Sequence, residues 1–245
     1  VHWRQRQKTL ALMPEGIGTP VAIFAHGLGA GKTTRVPLAL MGELAGCPPR
    51  QGRIWMIEPR RLAARAAAER LAASLGEAVG QRVGFAVRGE QRRSAHTQLE
   101  VITDGLFLRR LQSDPSLEGV SCVLFDEFHE RHLQGDLALA WCERLRQNER
   151  PDLKLLVMSA TLDGDGIAAH LQTTCIRCEG RMHPVEIEHL PRGSKEPLGT
   201  QVAMAVRDAC KRGLEGHVLV FLPGMASIRQ AERACAPVAR DHDLL

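Results

Sequence analysis

No apolar run in this 245-residue chain approaches the ~20 residues that a helix needs to cross a bilayer, so a helical membrane span is not expected. Val1 to Lys8 is basic and polar with no apolar stretch behind it, which excludes an ordinary secretory signal and leads us to expect a cytoplasmic protein. The chain opens on Val rather than Met, as a processed or excised piece would. Internal repeats and low-complexity tracts are missing. The single C-x-x-C, Cys175 and Cys178, has no second ligand pair at zinc-site spacing, so a four-ligand zinc site is not expected. The cysteines number seven, and Cys122 sits inside an apolar run. An odd count with one thiol in a buried strand reads as reduced cytosolic cysteine. Excess charge is small: 32 basic against 28 acidic residues give +4, which permits a polyanionic partner without demanding one.

What is present is an alternation of strand and helix signals. Apolar runs at Val21 to Ala25, Ile54 to Ile57, Val83 to Val87, Leu99 to Ile102, Val120 to Phe125 and Leu155 to Met158 read as strands. Helical patterns lie between them, at about Thr33 to Ala45, Arg61 to Leu75, Asp104 to Gln112 and Leu133 to Arg146. Runs such as Val-Ser-Cys-Val-Leu-Phe are apolar on both faces, as central strands of a helix-covered parallel sheet must be. The class is therefore α/β and doubly wound. A composition shift at Glu179 to Pro184, and a turn-rich stretch from Pro191 to Pro197, divide residues 1–180 from residues 181–245. The second part reads as helix Leu198 to Lys211, strand His217 to Leu222 and one more helix, the beginning of a further α/β unit.

The first strand ends in His26-Gly27-Leu28-Gly29-Ala30-Gly31-Lys32-Thr33, followed by Thr34. This approximates the phosphate-binding pattern G-x-x-x-x-G-K-[ST], with His26 at the first position. Glycines at 27, 29 and 31 let successive N–H groups turn towards phosphate oxygens, and the helix that follows offers its N-terminal amides. Lys32 would bridge the β- and γ-phosphates, and Thr33 would give its hydroxyl to Mg²⁺. A second apolar strand ends in Asp126-Glu127-Phe128-His129. An Asp at such a strand end holds Mg²⁺, and the adjacent Glu can polarise an attacking water. Three further strand ends carry polar residues with two readings each. Arg60 and Arg61 contact backbone phosphate or form a solvated helix start. Thr103 and Asp104 contact phosphate or cap a helix. Ser159 and Thr161 cap a helix or link the γ-phosphate side to nucleic acid. Arg88, Arg92 and Arg93 read as a solvated face.

Taken in order and spacing, these segments resemble superfamily 2 helicases of the DEAH/RHA group. GAGKTT (29–34) is similar to motif I, EPRRLAARAAAERLA (58–72) to motif Ia, and TDG (103–105) to motif Ib. DEFHERHLQGDLAL (126–139) is similar to the DEAH box with Phe for Ala, SATL (159–162) to motif III, and GHVLVFLPGMASI (216–228) to motif IV. DEFH with EPRRLAARAAAER points to the bacterial HrpB-type branch. The resemblance implies a P-loop, RecA-like sheet and the start of a second RecA-like domain. It implies ATP (or another NTP) and Mg²⁺ as cofactors, single-stranded nucleic acid as partner, RNA in preference to DNA, and an ATP-dependent helicase activity. Lys32, Asp126, Glu127 and His129 would form the catalytic set, with Asp126 on Mg²⁺ and Glu127 as base. Residues 27–34 would bind nucleotide, with Arg70 stacked on the adenine. Arg60, Arg61, Thr103 and Asp104 would touch the nucleic-acid backbone. Ser159 and Thr161 would couple hydrolysis to strand movement. The family's later motifs V and VI do not occur within these residues, so the resemblance implies a piece that binds nucleotide and hydrolyses it slowly for want of arginine fingers. A non-catalytic, nucleotide-gated RNA-binding module is the competing reading. A small-molecule kinase is a third, and it has no evident use for the PRR and SAT elements.

Overall fold

The computed structural model of the chain describes residues 21–26, 32–44, 51–160, 164–173, 175–179, 185–189, 194–213 and 216–238. The chain divides into two compact units, Val1–His183 and Pro184–Leu245.

Among the described residues the first unit holds one eight-stranded sheet. Its strands are β1 (Val21–His26), β2 (Arg53–Glu58), β3 (Val83–Val87), β4 (Glu90–Arg92), β5 (Leu99–Thr103), β6 (Val120–Phe125), β7 (Lys154–Ser159) and β8 (Cys175–Glu179). The order across the sheet is β4-β3-β5-β2-β6-β7-β1-β8. Every pairing is parallel except β3 with β4, which is an antiparallel hairpin. The sequence reading had no β4. Its Glu-Gln-Arg sequence carries no apolar signal, and a short charged strand is how a sheet edge avoids further pairing. Both residues of the C-x-x-C, Cys175 and Cys178, lie on β8.

The helices are α1 (Lys32–Leu40), α2 (Arg61–Ser74), α3 (Asp104–Ser113), α4 (Leu133–Asn148) and α5 (Gly164–His170), with α6 (Leu198–Lys211) and α7 (Met225–Cys235) in the second unit. Helix α1 stops short of the expected Ala45, and the reason is local. Glu43 N–H donates to Leu38 C=O at 2.9 Å, Gly42 N–H donates to Ala39 C=O at 3.0 Å, and Gly42 has φ +81°. Those two bonds close a helix end that needs a left-handed residue, which glycine adopts at no steric cost. Helix α2 ends the same way at Gly76, with φ +69°.

Alternate residues of each central strand feed two cores. On β2, Ile54 and Met56 join Ala64, Ala67, Ala68 and Leu71 of α2 and Val36 and Leu38 of α1. Trp55 and Ile57 join Phe107 and Leu111 of α3 and Ala138, Leu139 and Cys142 of α4 on the other side. This is the period-2 alternation of a strand, with both faces apolar because both are covered. An edge-to-face series runs through the second core: Trp55 to Phe107 (5.9 Å), Phe107 to Phe125 (6.3 Å) and Phe125 to Phe128 (6.1 Å). Arg110 lies 4.9 Å above the Trp55 ring and makes a two-pronged bond to the buried Glu100 carboxylate at 2.8 and 2.7 Å. Phe107 is fully buried at the centre of this series. Phe107→Ala is expected to cost about 3–5 kcal/mol, the usual loss for a buried aromatic cut to Ala. Chemical denaturation at constant slope would show it, and a loss below ~1 kcal/mol would mean the core collapses around the gap.

In the second unit α6 and α7 pack together, with Gly199 against the backbone of Gln230. The strand expected at His217 to Leu222 is not formed. Val218, Leu219, Val220 and Phe221 are exposed instead. A strand exists only through its neighbours, and the described residues of this unit include no other strand.

Candidate functional site

Parallel strands deliver their carboxyl ends to one edge of the sheet, the edge where open α/β sheets bind ligands. Here β1 leads towards Lys32 at the start of α1, β2 ends at Glu58, β5 at Thr103, β6 runs into Asp126, and β7 ends at Ser159. Pairing of Ile57 with Phe125, and of Phe125 with Val157, sets β2, β6 and β7 level. Asp126 N–H then donates to Ile57 C=O at 2.9 Å, extending the ladder by one residue beyond the strand.

The side chains converge there. Lys32 Nζ lies 2.5 Å from Glu127 Oε1 and 3.2 Å from Asp126 Oδ1. Thr33 Oγ1 donates to Asp126 Oδ2 at 2.6 Å. Asp126 Oδ1 also accepts the Glu127 N–H at 2.8 Å. Lysine, threonine and two carboxylates separated by more than ninety positions in sequence thus form one cluster. Its Asp126 side chain is fully covered, while Glu127 keeps 31% of its side-chain surface. Glu127 adopts φ +49°, ψ +31°. This left-handed conformation costs a non-glycine residue about 1–2 kcal/mol and turns the chain sharply out of β6. A single 3₁₀ turn, Phe128–Glu130, follows and closes on Arg131, also left-handed at φ +49°. His129 Nδ1 faces Glu127 Oε2 at 3.4 Å and the Ala160 N–H at 3.3 Å. It accepts from Ala160 when the ring proton is on Nε2, and it donates to Glu127 when Nδ1 itself carries the proton.

Glu58 is a site residue that the sequence reading did not assign. It is buried, and its Oε2 has no hydrogen-bond partner among the described residues. Burial, and next the Asp126 carboxylate beside it, push Glu58 up to about 9. At neutral pH it is therefore protonated and donates to Asp126. Its signal was a Glu at a strand end, directly before Pro-Arg-Arg. A carboxyl raised in the folded chain keeps its proton where the unfolded chain has lost it. Its contribution to stability is full below 4.5 and declines as pH rises towards about 9. In Glu58→Gln that decline should flatten, with the variant melting about 2–4 °C or more above the parent at pH 8 and level with it at pH 5, on the scale of ~1 kcal/mol. Parallel melting curves across that range would refute the assignment.

The remaining candidates are placed as follows. Arg60 and Arg61 are exposed at the start of α2, beside this edge. Thr103 and Asp104 are almost covered. Asp104 opens α3, and its Oδ1 accepts the N–H of the next residue, Gly105, at 2.7 Å. Burial raises its pKa, and Thr103, in the N-cap position, makes no side-chain cap bond. Arg70 is exposed on α2, ~13 Å along the helix axis from Arg61 at 1.5 Å per residue. Thr34 is half-buried in the first turn of α1, and Ser159 is buried at the end of β7. Gly27, Leu28, Gly29, Ala30, Gly31 and Thr161 lie outside the described residues. Arg88 and Arg92 are exposed, and Arg93 reaches Glu100 at 3.6 Å.

A mostly parallel, helix-covered sheet with Lys-Thr opening the first helix, Asp-Glu ending a neighbouring strand and all four joined at the carboxyl edge defines a RecA-like nucleotide-binding domain. More narrowly, the chain belongs to the DEAD/DEAH box helicase family, whose model matches residues 8–169. It is 42% identical over 218 residues to the ATP-dependent RNA helicase HrpB of Escherichia coli K12, covering 89% of this chain and 26% of that protein. It is 34% identical over 216 residues to the ATP-dependent RNA helicase HrpA homolog of Haemophilus influenzae, covering 87% of this chain and 16% of that one. A crystal structure of the Escherichia coli DEAH/RHA helicase HrpB superposes with a TM-score of 0.84 at 40% identity, over 94% of this chain and 29% of that one. The chain thus spans about a quarter of the HrpB it resembles, and the DEAH/RHA group and HrpB-type branch expected from the motifs are the ones found. No helix among the described residues is long and apolar enough to cross a membrane.

Proposed function

We propose that the chain binds ATP with Mg²⁺ and, as part of an ATP-dependent RNA helicase, feeds hydrolysis into movement on single-stranded RNA. One observation carries the reading: Lys32 and Thr33 meet Asp126 and Glu127 at the carboxyl edge of the sheet. Lys32 provides the cation for β- and γ-phosphate oxygens. Thr33 Oγ1 and Asp126 Oδ2, at 2.6 Å, form an oxygen pair of the kind that suits Mg²⁺, which takes few protein ligands and keeps its waters. Bound there, Mg²⁺ would neutralise phosphate charge. Glu127, partly open, is the base that takes a proton from the attacking water, and His129 stands beside it, its Nδ1 within reach of Glu127 or of the Ala160 N–H. Gly27 to Gly31 would wrap the phosphates, Arg70 would stack on the base, and Ser159 with Thr161 would carry the signal onward.

Arg60 and Arg61 offer exposed guanidinium groups to backbone phosphate, with Thr103 and Asp104 beside them. RNA rather than DNA is favoured by the named activity of the relatives, and a cytoplasmic location by the buried thiol of Cys142. Residues 181–245 are the linker and opening part of a second RecA-like domain, a reading supported by the likeness to the HrpB structure, which covers 94% of the chain and so runs into them. The test is Mg²⁺-dependent binding of a fluorescent ATP analogue, with phosphate release followed with and without single-stranded RNA. Binding with slow release that RNA accelerates supports the motor. Binding of nucleotide and RNA with no release at all supports a nucleotide-gated binding module, and no nucleotide binding overturns both.

A further inference from the structure

The 3₁₀ turn that carries His129 is held from two sides. One side is the nucleotide cluster described above. The other is Glu130, whose two carboxylate oxygens lie 3.1 Å from Nη2 of Arg60. His132 Nε2 donates to the same carboxylate at 2.9 Å. These contacts hold the Glu130 carboxyl below its ordinary value, the His132 bond contributing most. The Glu130 backbone is tied back as well, its N–H donating to Glu127 C=O at 2.9 Å. Glu130 therefore touches Arg60 with its side chain and Glu127 with its main chain.

Arg60 is the cation of that contact with a second use. It precedes α2 in extended backbone (φ −126°, ψ 138°) and makes no capping bond with its side chain. Its side chain is 70% exposed, while that of Glu130 is 23% exposed. A nucleic-acid phosphate approaching this edge meets a guanidinium already paired with a carboxylate. Phosphate and carboxylate take the same fork of N–H donors, so the two compete for it. When phosphate takes Arg60, Glu130 keeps only His132. The turn is short, with two backbone bonds, Glu130 N–H to Glu127 C=O and Arg131 N–H to Phe128 C=O, between two left-handed residues, Glu127 and Arg131. A shift at Glu130 is passed through the Glu127 carbonyl to the conformation that aims the Glu127 carboxylate.

We propose that Glu130 is a positioning residue that couples nucleic-acid phosphate at Arg60 to the setting of Glu127 and His129 in the nucleotide cluster. The inference rests on the proposed nucleotide- and RNA-binding reading, and adds to it the contact through which one ligand affects the other. Linkage requires the effect to be reciprocal: RNA alters nucleotide affinity by the same factor as nucleotide alters RNA affinity.

The experiment measures that factor with a fluorescent ATP analogue, Mg²⁺ and a labelled oligouridylate, on the chain and on Glu130→Gln. The parent should show a factor on the order of 5–150-fold, the usual range of such coupling. Glu130→Gln keeps the size and a hydrogen-bonding group but removes the charge that competes with phosphate. In it the factor should fall to within about twofold of unity, with each ligand still binding alone and the melting temperature unchanged. Arg60→Ala should weaken RNA binding, lower its salt slope by about one, and leave nothing further for Glu130→Gln to remove. Wild-type coupling in Glu130→Gln overturns the proposal, as does a parent that binds both ligands without linkage while the functional reading stands. A parent that binds neither ligand overturns the functional reading itself, and this inference with it. Loss of nucleotide binding alone in Glu130→Gln would place Glu130 in the nucleotide site and also refute the coupling role.

Discussion

Lys32→Ala is expected to abolish Mg²⁺-dependent nucleotide binding, raising the dissociation constant by at least ~100-fold. Lys32 is the cation that the structure places between Asp126 and Glu127, with only 13% of its side chain exposed. Lys32 supplies the ammonium for the β- and γ-phosphates, and with every ~1.4 kcal/mol worth tenfold in affinity, losing about 3 kcal/mol of that attraction gives ~100-fold. A second effect adds to the first. Without Lys32 the cluster consists of Asp126, Glu127 and the protonated Glu58, so an incoming triphosphate meets carboxylates and no ammonium. Titration of the fluorescent ATP analogue by anisotropy checks this, with the melting temperature measured on the same samples to separate lost binding from lost fold. Affinity within threefold of the parent would show that the phosphates are held elsewhere, and the assignment of the cluster would fail. Lys32→Arg separates charge from geometry: a planar fork does not replace a compact ammonium at a single point, so it should recover only a small part of the affinity.

The sheet was legible because its central strands are buried on both faces, and continuous apolar runs announce such strands without ambiguity. Val83–Val87 and Val120–Phe125 were read to the residue. Helix ends were legible only where their chemistry was considered, and Gly42, which ends α1, lies inside the apolar pattern that suggested a longer helix. The segment His217 to Leu222 shows the reverse limit. Its pattern is that of a strand, but pattern specifies a face and not a neighbour, and no neighbour stands among the described residues. In the site, Lys32, Thr33, Asp126 and Glu127 were legible because a glycine-rich turn and an acidic strand end are meaningful as a pair. Glu58 was not. Its role comes from lying one strand away from Asp126 in a covered position, which is a property of strand order, and the order β2-β6-β7-β1 is not written in any local stretch. Glu130 escaped for the same reason, since its contact with Arg60 joins residues seventy positions apart. Asp104 could be read two ways from sequence, as a cap or as a phosphate contact; in the fold it opens α3, and its Oδ1 accepts the N–H of the adjacent Gly105, which is not a helix cap.

Glu127→Gln is expected to separate binding from hydrolysis, leaving the affinity for the ATP analogue within about threefold of the parent while phosphate release falls by ~10²–10⁴-fold, the contribution usual for a positioned general base. The geometry supports the separation. Glu127 meets Lys32 through one oxygen, Oε1, and faces His129 through the other, Oε2. Glutamine keeps an oxygen for Lys32 and the left-handed turn at φ +49°, but it has no basic carboxylate to take a proton from water. Lys32 retains the Asp126 carboxylate at 3.2 Å, so its position does not depend on Glu127 alone. Asp126→Asn should act differently. Asp126 is covered and holds Thr33, Lys32 and Glu58 together, so that change should weaken Mg²⁺-dependent binding as well as release. Phosphate release measured under single-turnover conditions, with RNA present, distinguishes the two variants. Should Glu127→Gln release phosphate at the parent rate, Glu127 is not the base, and the two oxygens it presents to Lys32 and His129 serve only to hold the turn.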